Sequence, residues 1–168
     1  MIKSLCIILG TFGPVEDCSK NLEMNKLQTS IEAQDLKQVL QEAHLEVFGK
    51  AASINRINMA WAQIAIENGK GKLVYNHNLG NIGAHATKNT KPFYRVAGSK
   101  FISFLSFKEG AKSYWKFFKN KCRGSLAYFD LGDAKNSARM LKNCNYYESD
   151  VDFYYLNMRS LFVETSKK

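Results

Sequence analysis

This chain has little proline and no long apolar run. Only 2 of its 168 residues are proline, and no Pro-, Gly- or Ser-rich tract separates one part of the chain from another. We therefore expect a single globular domain without an internal linker. No hydrophobic stretch approaches the roughly 20 residues that a helix needs to cross a bilayer, so the sequence predicts no stable membrane insertion. There is also no visible internal repeat.

The chain also lacks a metal-ligand pattern. Its 4 cysteines show no CxxC spacing, and its 3 histidines do not group with them. We therefore expect neither a metal nor an organic cofactor. Two cysteines flank one predicted helix, and the sequence leaves open whether they pair or remain reduced thiols. The residues concerned are Cys6, Cys18, Cys122 and Cys144, of which the last two flank the helix, and His44, His77 and His85.

Acidic residues are outnumbered by basic ones. The chain has 24 Lys and Arg against 15 Asp and Glu, which gives a net charge of +9. Such a balance attracts polyanions, whether nucleic acid, an anionic membrane surface or a bacterial cell wall. The lysines are scattered and no nucleic-acid motif is present, so we expect no nucleic-acid partner. A basic, well-solvated surface is the alternative interpretation, and the sequence indicates no particular protein partner.

The N-terminus allows two interpretations. Leu5 to Phe12 has the length of a minimal signal-peptide core, but no small-x-small cleavage site follows it. An ordinary buried segment is the alternative. We divide the chain into residues 1–28, a weak signal or peripheral extension, and residues 29–168, a single domain.

Helical periodicity dominates after residue 28. A Ser or Thr followed three residues later by Glu marks a helix start, and this pattern occurs at Thr29–Glu32 and at Ser106–Glu109. Asp133 and Asp150 are further candidate N-caps. Glycines end the first two helices. The predicted helices cover residues 31–48, 54–68 and 107–120, with two more that begin at Asp133 and Asp150.

The segment from Lys72 to Ile102 breaks this pattern. It contains Gly80, Gly83, Pro92 and Gly98 between short apolar pieces, which favours a hairpin or an extended lobe. The predicted fold class is therefore mainly α, of the α+β type. A helical body and a small irregular or β-hairpin lobe would form a cleft between them.

Four short blocks follow one another in this framework. The first ends an apolar helix with one carboxylate and glycines, and the second is a polar turn. The blocks are Ala62-Gln63-x-Ala65-x-Glu67-Asn68-Gly69-x-Gly71, Asn78-Leu79-Gly80-Asn81-Ile82-Gly83, Phe104 to Gly110, and Tyr147-Glu148-Ser149-Asp150 followed by Phe153-Tyr154. In order and spacing, over about residues 35–162, they resemble the glucosaminidase-type peptidoglycan hydrolases of the lysozyme-like superfamily. Asn68 stands where that family has Ser, and Lys70 where it often has Trp.

The resemblance implies that Glu67 is the catalytic acid. A Glu at the end of a buried helix keeps its proton to higher pH, because apolar surroundings disfavour the charged form. A glycosidase requires this property of its general acid. The alternative is a solvent-exposed Glu, which would lie unfavourably at the negative end of the helix dipole.

The second catalytic group is less determined. The resemblance points to Tyr147, placed to orient water or to stabilise positive charge at the anomeric carbon, with an ordinary packing tyrosine as the alternative. The substrate's own N-acetyl group is a further alternative. Candidate second carboxylates are Glu109, Asp130, Asp133, Glu148 and Asp150, of which Glu109 and Asp150 are also explained as caps.

The same blocks supply the predicted substrate-binding residues. Side-chain amides both donate and accept hydrogen bonds, as sugar hydroxyls and N-acetyl groups require. Asn and Gly also suit turns, so both roles are open for the amides in the second block. The predicted set is Asn78, Leu79, Asn81, Tyr146, Asp150 and Tyr154.

These observations predict a peptidoglycan glycoside hydrolase, similar to an endo-β-N-acetylglucosaminidase, that acts on the glycan strands of the bacterial cell wall. A lytic transglycosylase or a muramidase of the same superfamily is the close alternative. A non-catalytic wall-binding or phage tail component on a lysozyme-like scaffold is the alternative of another class. We expect bacteriolytic action at the wall or in the periplasm by a secreted, phage-borne or effector-delivered protein.

Overall fold

A computed structural model describes residues 23–83 and 92–167. The segment Leu5–Phe12, Cys6, Cys18 and His85 lie outside these ranges. The described chain forms six helices and four short strands, which confirms the predicted helical body with a small β lobe. The strands are β1 (Gln28–Thr29), β2 (Val74–Tyr75), β3 (Phe93–Val96) and β4 (Ser99–Ile102), and the helices are α1 (Ala33–Phe48), α2 (Ile54–Asn68), α3 (Phe107–Asn120), α4 (Ser125–Leu131), α5 (Ala134–Asn143) and α6 (Val151–Ser166).

Helix α2 is the centre of the body. Every residue from Arg56 to Ala65 is buried, because α1, α4 and α6 all pack against it. The Ser53 hydroxyl caps its first turn by accepting from the Arg56 amide at 3.1 Å. Gly69 ends it with a left-handed φ of 60°. Helix α3 covers α1, where the Trp115 indole donates to the carbonyl of Leu40 at 2.8 Å. Among the described helices, none is both long enough and apolar enough to cross a bilayer.

Three of the predicted helix starts are confirmed, and one is wrong. Ser106, Asp133 and Asp150 cap α3, α5 and α6 through their side chains. The capping box at Thr29–Glu32 does not form, because Thr29 is paired in β1 and its hydroxyl accepts from the His77 amide at 3.2 Å. Helix α1 instead begins at Ala33. Its N-cap is Glu32, whose side chain makes no capping hydrogen bond.

Helix α4 was not predicted. It has only seven residues, and its N-cap is Gly124, which has no side chain to cap the helix. Helix α4 is nevertheless tied to the body by a polar joint. The Arg56 guanidinium binds the Asp130 carboxylate, with 2.8 Å between Nε and Oδ1, and its Nη1 lies 2.9 Å from Nε2 of the buried His44. This joint connects α1, α2 and α4.

The lobe consists of two small antiparallel sheets, β1–β2 and β3–β4. In the hairpin, Phe93 pairs with Ile102 and Val96 with Ser99. The buried Asn76 holds the sheets together, since its amide nitrogen donates to the Asn25 carbonyl and to the Ser103 hydroxyl, both at 3.0 Å. Residues 23–28 therefore lie against the lobe.

A disulfide joins Cys122, just after α3, to Cys144, just after α5, with 5.5 Å between the Cα atoms. Of the two alternatives that the sequence left open, pairing is the one in this structure. The bridge holds the start of the segment that leads into α6.

Gly110 sets the contact between the lobe and α3. A Cβ built at this position would lie 2.0 Å from the carbonyl oxygen of His77. We therefore predict that Gly110→Ala lowers the free energy of unfolding by roughly 1–3 kcal/mol or more, although the same change in an open helix is stabilising. Gly124→Ala is the control, because its nearest obstacle is the mobile methyl end of Met140 at 2.6 Å.

Denaturant titration of both variants measures the difference. Equal stability of the two would show that the close approach of α3 to the His77 carbonyl carries no strain.

Candidate active site

Glu67 lies in the last turn of α2, half-buried, with its carboxylate turned toward α6. Burial raises the pKa of the Glu67 carboxyl above its ordinary value, and hydrogen bonds from Tyr154 and Asn81 lower it in part. The solvent-exposed alternative therefore does not describe this residue. A carboxyl in this setting stays protonated to higher pH than a surface Glu does.

Tyr154, on α6, is the direct partner of Glu67. Its hydroxyl lies 3.0 Å from Glu67 Oε1 and also 3.3 Å from Nε2 of Gln63, one turn earlier on α2. The Tyr154 side chain is only 3% exposed. It was predicted to bind substrate, and in this structure its hydroxyl contacts Glu67 instead of facing solvent.

The 78–83 turn closes the other side of Glu67. Asn81, with a φ of 48°, donates through Nδ2 to the Glu67 backbone carbonyl at 3.2 Å. Asn68 anchors the same turn, because its Nδ2 donates to the Leu79 carbonyl at 3.1 Å and its Oδ1 accepts from the Gly71 amide at 3.0 Å. The residue that replaces the family's Ser thus fixes the turn beside the acid.

Asn78 and Leu79 were predicted to bind sugar, and the structure places them inside the turn instead. Both are fully buried. Asn78 accepts from the Ile82 amide at 2.9 Å and donates to the carbonyls of Ile82 and Ile102 at 3.1 and 3.0 Å. Turn formation therefore describes Asn78, whose amide connects the turn to β4. Asn81 is half-buried and lies next to Glu67.

Tyr146 and Tyr147 precede α6 and point to different places. The Tyr146 hydroxyl donates to the Gly80 carbonyl at 3.1 Å, beside the turn. The Tyr147 ring stacks on Tyr154, with 3.7 Å between centroids and 2° between planes. The Tyr147 hydroxyl was expected to face Glu67, but it donates to the carbonyl of Ala138 on α5 at 2.9 Å.

Four of the five candidate carboxylates have structural roles, and the fifth, Glu148, is exposed, with its backbone carbonyl accepting from Lys142 Nζ at 2.6 Å. Asp130 pairs with Arg56, and Asp133 accepts from the backbone and side chain of Asn136. Asp150, predicted to bind substrate, is exposed and caps α6 by accepting from the amides of Asp152 and Phe153 at 2.8 and 3.1 Å. Glu109 accepts from the Leu105 amide at 3.1 Å. In the described ranges, no three His, Cys, Asp or Glu side chains converge as metal ligands.

Sequence reasoning missed Gln63 and Tyr114 as parts of the site. Gln63 is one turn before Glu67, so the i, i+4 spacing places both on one helix face. Tyr114, from α3, lies close enough for the Glu67 charge to help raise the pKa of its phenol, after burial. Tyr114 comes near Glu67 only through the tertiary fold, so no local signal indicates it.

No family model and no curated protein matches this chain. A comparison of folds finds the glycoside hydrolase domain of FlgJ from Salmonella typhimurium, with a TM-score of 0.56 over 82% of this chain and 90% of that one. This chain has the fold of that glycoside hydrolase domain. The sequence identity is 16%, so the similarity is one of fold. It confirms, at that level, the resemblance inferred from the four sequence blocks.

The position of the Tyr147 hydroxyl leads to a prediction. Tyr147→Phe keeps the ring that stacks on Tyr154 and removes only the bond to Ala138, so we expect a loss of about 1 kcal/mol in stability and nearly unchanged turnover. Melting and initial rates on peptidoglycan measure the two effects. A large fall in turnover at unchanged stability would restore the chemical role that the resemblance implies.

Proposed function

We propose that this protein is a glycosidase of bacterial peptidoglycan, with Glu67 as its general acid. The observation that carries the proposal is the half-buried Glu67 at the end of α2, with its pKa raised by burial, on a fold shared with a glycoside hydrolase domain. The first step transfers the Glu67 proton to the bridging oxygen as the glycosidic bond breaks. The sugar passes through a state similar to an oxocarbenium ion.

The substrate is inferred from the resemblance and from charge. The four blocks match glucosaminidase-type enzymes, so we propose the bond on the reducing side of N-acetylglucosamine in the glycan backbone. Wall polymers are anionic, and the net charge of +9 would concentrate the protein on them. Asn81 and Tyr146, beside Glu67, are the predicted sugar-binding residues that remain half-buried. We place the protein at the cell wall or in the periplasm.

The role of Glu67 has a direct test. Glu67→Gln keeps the shape of the side chain and can still accept from Tyr154, but it has no acidic proton. We expect kcat on purified peptidoglycan to fall by roughly 10²-fold or more while the melting temperature stays close to wild type. Glu42→Gln, at an exposed position of α1, is the matched control. Wild-type turnover by Glu67→Gln would remove Glu67 from the chemistry.

The composition of the lobe beside Glu67 limits where a second catalytic carboxylate could come from. Residues 68–108 contain no Asp or Glu, so the chain from α2 to the start of α3 cannot supply a second carboxylate. Of the other candidates, Asp130, Asp133, Asp150 and Glu109 have structural partners, as described above, and Glu148 is exposed on the segment before α6. We therefore propose that the nucleophile comes from the substrate, whose 2-acetamido oxygen attacks C1 while Glu67 protonates the leaving oxygen. Water then attacks C1, and the Glu67 carboxylate takes its proton.

This mechanism predicts the product. Attack by the acetamido group and then by water gives reducing N-acetylglucosamine ends with the β configuration retained. Mass spectrometry of the released muropeptides and early-time proton NMR of the anomer measure this. Inversion would require a carboxylate base elsewhere. Anhydro-muramic ends would identify a lytic transglycosylase, reducing muramic ends a muramidase, and binding without cleavage a wall-binding component.

A further inference from the structure

A continuous row of hydrogen-bonding side chains lies beneath the acid. It runs from Gln63 on α2 to Tyr154 on α6 and back to Glu67 on α2, with heavy-atom distances of 3.3 and 3.0 Å. Gln63 is fully buried and Tyr154 nearly so. Neither side chain is exposed to solvent to any appreciable extent. These bonds therefore act within the protein, between Glu67 and the side chains that support it.

The chemistry of the side chains determines which group donates in each of these hydrogen bonds. The Gln63 amide nitrogen can only donate, so the Tyr154 oxygen accepts from it. The single Tyr154 proton is then left for Glu67 Oε1. Burial raises the pKa of the Tyr154 phenol well above its ordinary value, with the nearby Glu67 as a second cause, so this proton stays on the phenol. Donation from Gln63 also polarises the phenol and strengthens its bond to Glu67.

We infer that Tyr154, supported by Gln63, is a positioning residue that occupies Oε1 of Glu67 and so directs the acidic proton to Oε2. The inference rests on the proposed function for its catalytic meaning, but the contact itself does not. With Oε1 held as an acceptor in both protonation states, the proton of the neutral acid has one remaining oxygen. A general acid needs such a fixed orientation toward the leaving oxygen.

The surroundings hold Tyr154 in place. Its ring stacks on Tyr147, and the Tyr147 hydroxyl is tied to α5 through Ala138. Within residues 23–83 and 92–167, the titratable side chains that interact with Glu67 from other elements are the phenols of Tyr114, Tyr146 and Tyr154, and burial raises the pKa of each well above its ordinary value. Near neutral pH these phenols are uncharged. The hydrogen-bond donors to Glu67 therefore oppose the rise in its pKa that burial causes.

The hydrogen bond from Tyr154 determines in which direction the pKa of Glu67 moves when the hydroxyl is removed. A donor favours the charged carboxylate, so removing it raises the pKa of Glu67. In Tyr154→Phe, the ring and its stack on Tyr147 remain, and the hydroxyl is lost. We expect the pKa of Glu67 to rise, and the alkaline limb of the pH–rate profile to move to higher pH with it. We also expect kcat to fall about tenfold or more, with KM nearly unchanged, because the acid loses its fixed orientation.

The experiment is a carbon NMR titration of Glu-labelled protein, with the Glu67 signal assigned by its loss in Glu67→Gln. It compares wild type, Tyr154→Phe, and Tyr155→Phe as a control on the next residue of α6. Gln63→Met is the second variant, for which a smaller rise is expected because only the support of Tyr154 is lost. An unchanged Glu67 pKa in Tyr154→Phe would overturn the inference. A lowered one would also overturn it, since Tyr154 would then accept from the protonated acid.

The titration needs no substrate, so it separates two failures. If wild type cleaves no glycan and the Glu67 pKa still rises in Tyr154→Phe, the proposed function is wrong and the contact is as inferred. If wild type cleaves glycan and neither variant moves the Glu67 pKa or the pH–rate profile, the positioning role is wrong and the function stands.

Discussion

A carboxylate at the C-terminal end of a buried helix is the constraint around which this structure is organised. Burial disfavours its charge, and the helix dipole disfavours a negative group at this end. The fold accommodates Glu67 with donors on two sides: Tyr154, which accepts from Gln63, donates to Oε1, and Asn81 donates from the turn to the Glu67 backbone carbonyl. The result is a carboxyl that retains its proton more readily than a surface Glu and whose geometry is defined.

The lobe is attached to this helix end mainly through buried amides. Asn68, Asn76 and Asn78 each connect backbone segments that no regular sheet or helix would join. Gly71 permits one of these approaches, since a Cβ there would lie 2.5 Å from the Ile31 carbonyl oxygen. A buried amide that lost one partner would leave an unsatisfied polar group, so these contacts favour a single placement of the lobe. The 78–83 turn is thereby fixed relative to Glu67.

Much of this arrangement can be predicted from the sequence because its signals are local. Apolar periodicity and the caps at Ser106, Asp133 and Asp150 define most helices, and the glycines at 49 and 69 end two of them. The half-buried position of Glu67 is indicated by its place at the end of an apolar helix. The Thr29 cap failed because strand pairing, a tertiary effect, competed with a local motif. Helix α4 carries too short a pattern to be recognised.

The partners of the acid are harder to predict for a physical reason. Which of two nearby tyrosines, Tyr147 or Tyr154, turns its hydroxyl to Glu67 depends on how α6 lies across α2. The resemblance favoured Tyr147, whereas the helix packing gives that position to Tyr154. Similarly, a polar Asn in a turn suggests a ligand for sugar, and only the packed lobe shows that Asn78 is enclosed by backbone.

The disulfide makes the stability of the site depend on whether the surrounding medium is oxidising or reducing. Cys144 lies two residues before Tyr146, so the bridge to Cys122 anchors the segment that bears both the Gly80 contact and the ring stacked on Tyr154. Closing a loop of this size, with a sequence separation of 22, stabilises a fold by about 3 kcal/mol. In a reducing medium that contribution disappears, and the tyrosines lose a nearby covalent anchor. The oxidising side of a membrane, where disulfides persist, is thus where this site is held most firmly.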